Sequence, residues 1–307
     1  MSVAYLSHPS SALHEMGPGH PECPDRVRVI GDRLIGSGLM ELLTPYQAPA
    51  VDTAQLLRVH TPEHVETVVA HAPARGYAQL DPDTTMNPAT LDAARHAAGA
   101  VVRAAELVVA GTHRRAFCNV RPPGHHATRE AAMGFCFFNN VAVGIAHARD
   151  ALGIERITLI DFDVHHGNGS EQIFAGDARV QMLSTFQSPL YPYCGERPLG
   201  PNIVSVPLAP YTGGEALRRA FDETLLPALT RFAPQLIFVS AGFDAHRDDE
   251  LANLAWDDAD YGWLTERIVA AAERSADGRI VSVLEGGYAL PALARSVECH
   301  VRALLMA

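Results

Sequence analysis

The chain has 307 residues, of which 48% are apolar and 19% are charged, and its formal net charge is −11. This composition is that of a globular protein with a sizeable core, and it excludes a collagen-like, coiled-coil or low-complexity chain. Because the excess of acidic residues repels a phosphate backbone, we expect neither nucleic-acid binding nor binding to an anionic membrane.

Predicted strands and helices alternate along the chain. Apolar runs rich in Val, Ile and Leu predict strands at 115–120, 156–163, 179–185, 202–208, 235–242 and 279–287. Residues with helical periodicity predict helices at 88–111, 139–153, 213–234, 258–278 and 290–307. Uninterrupted apolar strands that alternate with helices are typical of a mainly parallel sheet covered on both faces, so we expect a single α/β domain over residues 1–307.

The sequence also carries expectations about compartment and cysteine chemistry. Its first residues, MSVAYLSHPSS, lack a basic region followed by an apolar run, and no membrane-spanning apolar stretch is present. Five scattered cysteines without a C-x-x-C pair predict reduced thiols. We therefore expect a cytoplasmic protein, and an oligomer is possible.

Polar residues concentrate where the predicted strands end. Five such ends stand out, with the sequences FCNVRPPGHH, LIDFDVHHGNG, LSTFQSPLYPY, VSAGFDAH and VLEGGY. Ligands of parallel α/β sheets bind beyond the carboxyl ends of the strands. The repetition of polar strand ends therefore predicts one shared site.

Two of these strand ends offer metal ligands. Asp163 and His165 alternate on a predicted strand, so their side chains face the same side with Cα atoms about 6.6 Å apart. Zinc binds Asp oxygen and His nitrogen, and Asp244 is the best third ligand. Asp161 shares the same face, but three adjacent side chains would fit poorly around one small ion. We expect Asp161 to orient a histidine or to help bind another cation.

Two further motifs supply groups for proton transfer and for charge stabilisation. In RPPGHHA, at 121–127, the prolines and glycine fix a tight turn that ends in His125 and His126, which suits general base and acid catalysis. In LEGGY, Tyr288 can direct a hydroxyl at a developing oxyanion. The motif GFCFFNN, at 134–140, fits a core segment and the wall of a slot equally well.

Together, RPPGHHA, GFCFFNN, DFDVHHGNG, SAGFDAH and EGGY resemble the zinc-dependent histone deacetylase family, in this order and spacing. That family includes bacterial deacetylases, acetylpolyamine amidohydrolases and acetoin-utilisation proteins. The resemblance extends from HPECPDR, at 20–26, to Tyr288, and it implies the arginase-deacetylase fold.

The resemblance implies a role for each matching residue. The zinc ligands would be Asp163, His165 and Asp244. The residues of catalysis would be His126 as general base and acid, His125 as its electrostatic partner, Tyr288 as oxyanion donor, Asp161 behind His125, and Asn168 behind His126.

The resemblance also implies a substrate tunnel and sites for monovalent cations. Phe135 and Tyr191 would form tunnel walls, Gly134 would offer its carbonyl to the substrate amide, and Arg26 would line an internal acetate channel. The carbonyls of Asp161, Asp163 and His165, with Ser184 and Thr185, resemble an inner site for potassium, and Phe174, Asp177 and Val180 resemble part of an outer one.

Two positions depart from the pattern of the family. Asn168 stands where many members have an aspartate, so His126 should be less basic. Leu251 stands where polyamine-selective eukaryotic members have a glutamate. An apolar residue there favours acyl-lysine-like substrates over polycations.

The expected function is zinc-dependent hydrolysis that removes acetyl or short acyl groups from N-acylated amines, with peptides or small molecules as substrates. Acetyl-lysine-type substrates are favoured, and acetylpolyamines or other small acetylamides are the alternative. A binuclear-metal ureohydrolase is a remote alternative because FDAH offers a single acid. A metal-bearing binding protein would lack a catalytic group, and none is missing.

Overall fold

Eight parallel strands form a sheet through the centre of the protein, which a computed structural model describes over residues 3–306. Its strands are β1 (Val3–Ser7), β2 (Leu43–Gln47), β5 (Arg115–Cys118), β6 (Ile157–Asp161), β7 (Val180–Gln187), β8 (Ile203–Leu208), β9 (Leu236–Ala241) and β10 (Ile280–Leu284). Their spatial order is β2-β1-β5-β10-β9-β6-β7-β8. An antiparallel hairpin of β3 (Ala78–Asp81) and β4 (Thr84–Met86) forms a separate small sheet.

Helices cover both faces of this sheet. They are α1 (Asp25–Gly36), α2 (Thr53–Leu56), α3 (Pro62–Ala70), α4 (Thr90–Val109), α5 (Asn140–Asp150), α6 (Asn168–Phe174), α7 (Gly214–Arg219), α8 (Leu226–Phe232), α9 (Asp258–Ser275) and α10 (Leu290–Leu305). On one face α4 packs against α5, and on the other α10 packs against α1 and α9.

Alternate residues of each central strand enter the two hydrophobic cores. In β9, Leu236 and Phe238 belong to the core beneath α4 and α5, whereas Ile237 and Val239 belong to the core beneath α9 and α10. A strand that is buried on both sides has apolar residues at every position. The predicted parallel sheet between two helical layers is therefore confirmed.

All six predicted strands are present, as β5 to β10, but β1, β2 and the hairpin strands β3 and β4 were not predicted. β2 is a five-residue edge strand, LTPYQ, and Pro45 within it reads as a turn residue. An edge strand accepts proline because one side of it makes no ladder hydrogen bonds.

The helical pattern at 213–234 is correct in position, but the helix is not continuous. A π-helical segment, Ala220–Leu225, separates α7 from α8. Pro227 lies in the first turn of α8 and has no N–H to donate to the preceding turn, which explains the change of hydrogen-bond pattern there.

The positions of the central strands determine where the polar loops meet. β5, β10, β9 and β6 are neighbours and run parallel, so their carboxyl ends lie at one edge of the sheet. The loops that follow them contain the tandem histidines, Tyr288, Asp244 and Asp163. Because these four strands are neighbours, the loops that follow them form the one shared site expected from the sequence.

Two expectations concern the whole chain. Within residues 3–306, no helix is both long enough and apolar enough to cross a membrane. The five cysteines are free thiols, as their scattered positions predicted.

Candidate active site

Asp163, His165 and Asp244 converge at the carboxyl edge of the sheet. Each offers one ligand atom, and these atoms lie within 4.8 Å of one another. Nδ1 of His165 lies 3.1 Å from Oδ1 of Asp163 and 3.2 Å from Oδ2 of Asp244. The three predicted metal ligands therefore come together although they follow two different strands.

Asp163 and His165 lie beyond the end of β6, so the prediction that both stand on a strand is wrong. Pairing in β6 ends at Asp161, because the chain then turns and Oδ1 of Asp163 accepts the backbone N–H of His165 at 2.9 Å. The alternation of sides continues beyond the end of β6, since Phe162 and Val164 are buried in the opposite core.

Backbone donors and a glycine hold the two carboxylates in place. Oδ2 of Asp163 accepts from the N–H of Gly286 at 2.8 Å, and Oδ1 of Asp244 accepts from the N–H of Val164 at 2.9 Å. A Cβ atom on Gly286 would lie 2.0 Å from Oδ2 of Asp244. Only glycine lets the last strand end this close to both acids.

The charges of the cluster fit a bound cation. Oδ2 of Asp244 is buried and, apart from the imidazole of His165 at 3.2 Å, has no polar partner among residues 3–306. Burial alone would lower the pKa of His165, but its hydrogen bonds to Asp163 and Asp244 raise it to about 10. The two carboxylates thus stabilise a positive charge between them. Two carboxylates and one imidazole are also a set of ligands that suits zinc.

The tandem histidines are oriented through equivalent nitrogen atoms. Nδ1 of His125 lies 3.1 Å from Oδ2 of Asp161, and Nδ1 of His126 lies 2.8 Å from Oδ1 of Asn168. Since both oxygens accept, each Nδ1 carries a hydrogen. In neutral His126 this leaves Nε2 free to accept a proton.

Opposite pKa shifts distinguish the two histidines. Burial would lower the pKa of His125, but the charges of Asp163 and Asp161 raise it to about 10. Burial, together with the positive charges of His125 and His165, lowers the pKa of His126 well below its usual value. At neutral pH these shifts keep His125 protonated and His126 neutral.

A narrow cavity of about 180 Å³ opens above these groups. It is lined by Asp83, His126, Gly134, Phe135, His165, Tyr191, Leu251 and Tyr288. The rings of Phe135 and Tyr288 meet edge to face at 5.9 Å, and those of Tyr191 and His126 at 5.3 Å. All four predicted substrate-contacting residues therefore line this cavity.

The GFCFFNN segment forms a wall of the cavity at its start and core beyond it. Gly134 has a φ of +56°, and a Cβ atom there would lie 2.4 Å from Cδ2 of His126. Its N–H donates to Oδ1 of Asp83 at 3.1 Å, and the N–H of Phe135 donates to Oγ1 of Thr84 at 3.1 Å. The hairpin thus fixes the segment that covers His126.

Arg26 and Asp249 fix the position of Tyr288. The guanidinium of Arg26 lies 4.8 Å from the centre of the Tyr288 ring and donates to the carbonyl of Gly287 at 2.6 Å. Oδ2 of Asp249 accepts the N–H of Tyr288 at 2.6 Å and that of Ala289 at 3.0 Å. Burial raises the pKa of Tyr288 well above its usual value, against the effect of Arg26, so the phenol remains a donor at neutral pH.

Three acids of the site were not identified from the sequence. Asp83 belongs to a hairpin outside the main sheet, and Asp249 lies in the charged run RDDE, where nothing distinguishes it from Asp248. Glu285 accepts the N–H groups of Gly124 and His125 at 2.7 and 3.1 Å. Glu285 directly follows the apolar run of the last predicted strand, which predicts that it is buried. This position was the signal available in the sequence, because a buried acid requires partners.

The residues matched to monovalent-cation sites lie in two groups. Asp161 pairs with Ser184 across β6 and β7, and the hydroxyl oxygen of the adjacent Thr185 is buried without a partner among residues 3–306. The carbonyls of the second group, Phe174, Asp177 and Val180, all accept hydrogen bonds from Nδ2 of Asn202.

Comparison with known proteins identifies the family of this chain. The histone deacetylase domain family matches residues 20–304. A probable deacetylase of Archaeoglobus fulgidus is 38% identical over 301 residues, which cover 94% of this chain and 82% of the relative. A histone deacetylase-like amidohydrolase of Pseudomonas aeruginosa is 39% identical over 277 residues, which cover 88% of this chain and 73% of the relative.

Comparison with solved structures leads to the same family. The crystal structure of the HDA15 HD domain matches with a TM-score of 0.93 and 32% identity, over 99% of this chain and 90% of that chain. The family match and these relatives define a hydrolase of the deacetylase class. The chain belongs to the histone deacetylase family, and the single-domain α/β fold predicted for it is confirmed.

Proposed function

We propose that this protein is a zinc-dependent amidohydrolase that removes acetyl or short acyl groups from N-acylated amines. The observation that carries the proposal is the meeting of three groups around one cavity. These are the Asp163, His165 and Asp244 cluster, the neutral imidazole of His126, and the phenol of Tyr288.

Asp163, His165 and Asp244 would hold the zinc ion. When bound, zinc polarises the amide carbonyl and lowers the pKa of water toward about 7. His126 takes the proton of the attacking water on Nε2 and then returns it to the leaving nitrogen. Tyr288 donates a hydrogen bond from its hydroxyl group to the oxyanion. His125 remains positively charged next to His126.

The shape of the cavity supports a linear acyl-amine substrate. Phe135 and Tyr191 line a cavity of about 180 Å³, too small for a bulky group but suited to an extended chain such as that of acetyl-lysine. Leu251, which is 37% exposed, adds an apolar surface at the cavity. These features favour acetyl-lysine-type substrates.

One observation favours the second candidate, an acetylpolyamine or another small cationic acetylamide. Asp83 lines the cavity, and a carboxylate there attracts a positively charged substrate chain. The remote ureohydrolase alternative has less support, because Asp161 is engaged by His125 and by the N–H of Asp163 instead of completing a second metal site.

Potassium at the inner position and acetate release past Arg26 belong to the same proposal. The hydroxyl oxygen of Thr185, which is buried and has no partner among the described residues, supports the inner cation site. Arg26 is fully buried and extends its guanidinium to the loop that carries Tyr288, so it lies directly behind the reacting groups.

Turnover of matched substrates tests this proposal. We expect kcat/KM to be higher for acetyl-lysine peptides than for acetylated putrescine, cadaverine or spermidine. A preference for the polyamines would select the second candidate. Absence of amide hydrolysis with every substrate, while arginine is hydrolysed, would contradict the deacetylase assignment.

A further inference from the structure

The connection between α6 and β7 wraps around one side chain. Within residues 174–180, the carbonyl oxygens of Phe174, Asp177 and Val180 recur at every third residue and point at Nδ2 of Asn202. The three nitrogen-to-oxygen distances are 2.8, 3.3 and 2.7 Å. These are the carbonyls that the family resemblance matched to an outer cation site.

The orientation of the Asn202 amide is fixed by its own oxygen. Oδ1 of Asn202 accepts the N–H of Gly176 at 2.8 Å, so the nitrogen must face the three carbonyls. Gly200 packs closely on the same group, since a Cβ atom there would lie 2.7 Å from Oδ1 of Asn202. The amide is therefore enclosed by both connecting segments.

The inner and outer positions differ in their need for a cation. At the inner position, the hydroxyl oxygen of Thr185 is buried without a partner among residues 3–306, which is the deficit that a cation relieves. At the outer position, Nδ2 of Asn202 shares its two hydrogens among the three carbonyls, and the carbonyls of Phe174 and Asp177 also accept backbone N–H groups.

We infer that Asn202 takes the place of the outer cation, so that this chain binds no monovalent ion between Phe174, Asp177 and Val180. The amide joins the connection after α6 to the start of β8 without an ion. Because α6 begins at Asn168 and ends at Phe174, the amide also anchors the far end of the helix that orients His126. This inference rests on family membership and does not depend on zinc or on the substrate.

Anomalous diffraction from crystals soaked in a thallium salt tests the inference on the unaltered protein. Thallium replaces potassium and scatters strongly, and the inner position near Thr185 provides an internal reference. We expect no thallium among the three carbonyls and an undisplaced Asn202 amide. A thallium peak between Phe174, Asp177 and Val180 would overturn the inference.

An isosteric variant tests the same point in solution. Asn202→Asp turns the donor into a fourth oxygen, so the folded variant requires a cation between the oxygens. We expect potassium chloride, compared with choline chloride at equal ionic strength, to raise its Tm by about 3 °C or more beyond the response of the unaltered protein. Asn253→Asp, an exposed position, adds the same charge and should respond like the unaltered protein. An equal response of all three proteins would contradict the inference.

Discussion

Oδ1 of Asn168 accepts a hydrogen bond from Nδ1 of His126 at 2.8 Å, and the amide that supplies it carries no charge. The adjacent His125 faces the carboxylate of Asp161 at 3.1 Å. The two rings, 4.0 Å apart, are thus oriented alike, but only His125 has an anionic partner of its own. Together with burial and the charges of His125 and His165, this asymmetry keeps His126 the neutral member of the pair.

Replacing Asn168 by Asp should raise the pKa of His126. A carboxylate at Oδ1 stabilises the imidazolium form, so the base becomes protonated at higher pH. We expect the acid limb of kcat/KM to move upward by about 1 pH unit or more. A pH profile on an acetyl-lysine peptide measures the shift, and an unchanged acid limb would contradict the role of His126 as base.

Tyr288→Phe should lower kcat on the order of 10²-fold or more, because it removes one hydrogen bond made to the oxyanion. KM should change little, since the phenyl ring still lines the cavity. The matched control is Tyr191→Phe, which removes a phenol from the cavity wall and should retain kcat within a few-fold. Near-normal kcat in Tyr288→Phe would refute the assigned role.

Asp249 is a positioning residue for Tyr288. Asp249→Ala leaves the N–H groups of Tyr288 and Ala289 without their acceptor, so the phenol loses its fixed position. We expect kcat and kcat/KM to fall together by roughly tenfold or more, with recovery in Asp249→Asn, which keeps one acceptor oxygen. Asp248→Ala, at the exposed neighbouring residue, should stay within a few-fold. Equal rates for Asp249→Ala and Asp248→Ala would exclude the positioning role.

Acid should destabilise the protein through two buried histidines. Burial and the charge of His64 lower the pKa of His60 from 6.5 to about 3, and burial lowers that of His300 from 6.5 to about 3. Between these values the unfolded chain binds protons that the folded protein does not. The free energy of unfolding is therefore retained above pH 6.5 and falls as the pH decreases toward 3.

Urea unfolding at pH 7 and pH 5 measures this effect. Each histidine contributes up to about 1.4 kcal/mol per pH unit, so His300→Gln should show a smaller loss of stability than the unaltered protein over the same interval. Gln can bond to both hydroxyl partners of His300, Thr265 and Ser282. An identical pH dependence in the two proteins would show that His300 is not a source of the acid sensitivity.

Much of the site could be predicted because parallel strands bring their ends to one edge. Asp163, His165 and Asp244 follow uninterrupted apolar runs, and such runs need no knowledge of the fold to be recognised as strands. His126 and Tyr288 follow neighbouring runs in the same way. Local sequence thus carries the residues that stand at the ends of central strands.

Residues that reach the site from outside the ends of the central strands could not be identified from apolar runs in the sequence. Asp249 is one acid in a charged run, and only the path of the chain after β9 brings it beneath Tyr288. Asp83 lies on a small hairpin whose distance from the main strands in sequence hides its place at the cavity. Asn202 precedes an edge strand, where an asparagine reads as an ordinary turn residue.

Zinc titration of chelator-stripped protein tests the proposed chemistry most directly, with hydrolysis of an acetyl-lysine peptide as the readout. We predict almost no hydrolysis without metal and full recovery at one zinc ion per chain, with no recovery in Asp244→Asn. A full hydrolytic rate in protein shown to contain no metal would contradict the account.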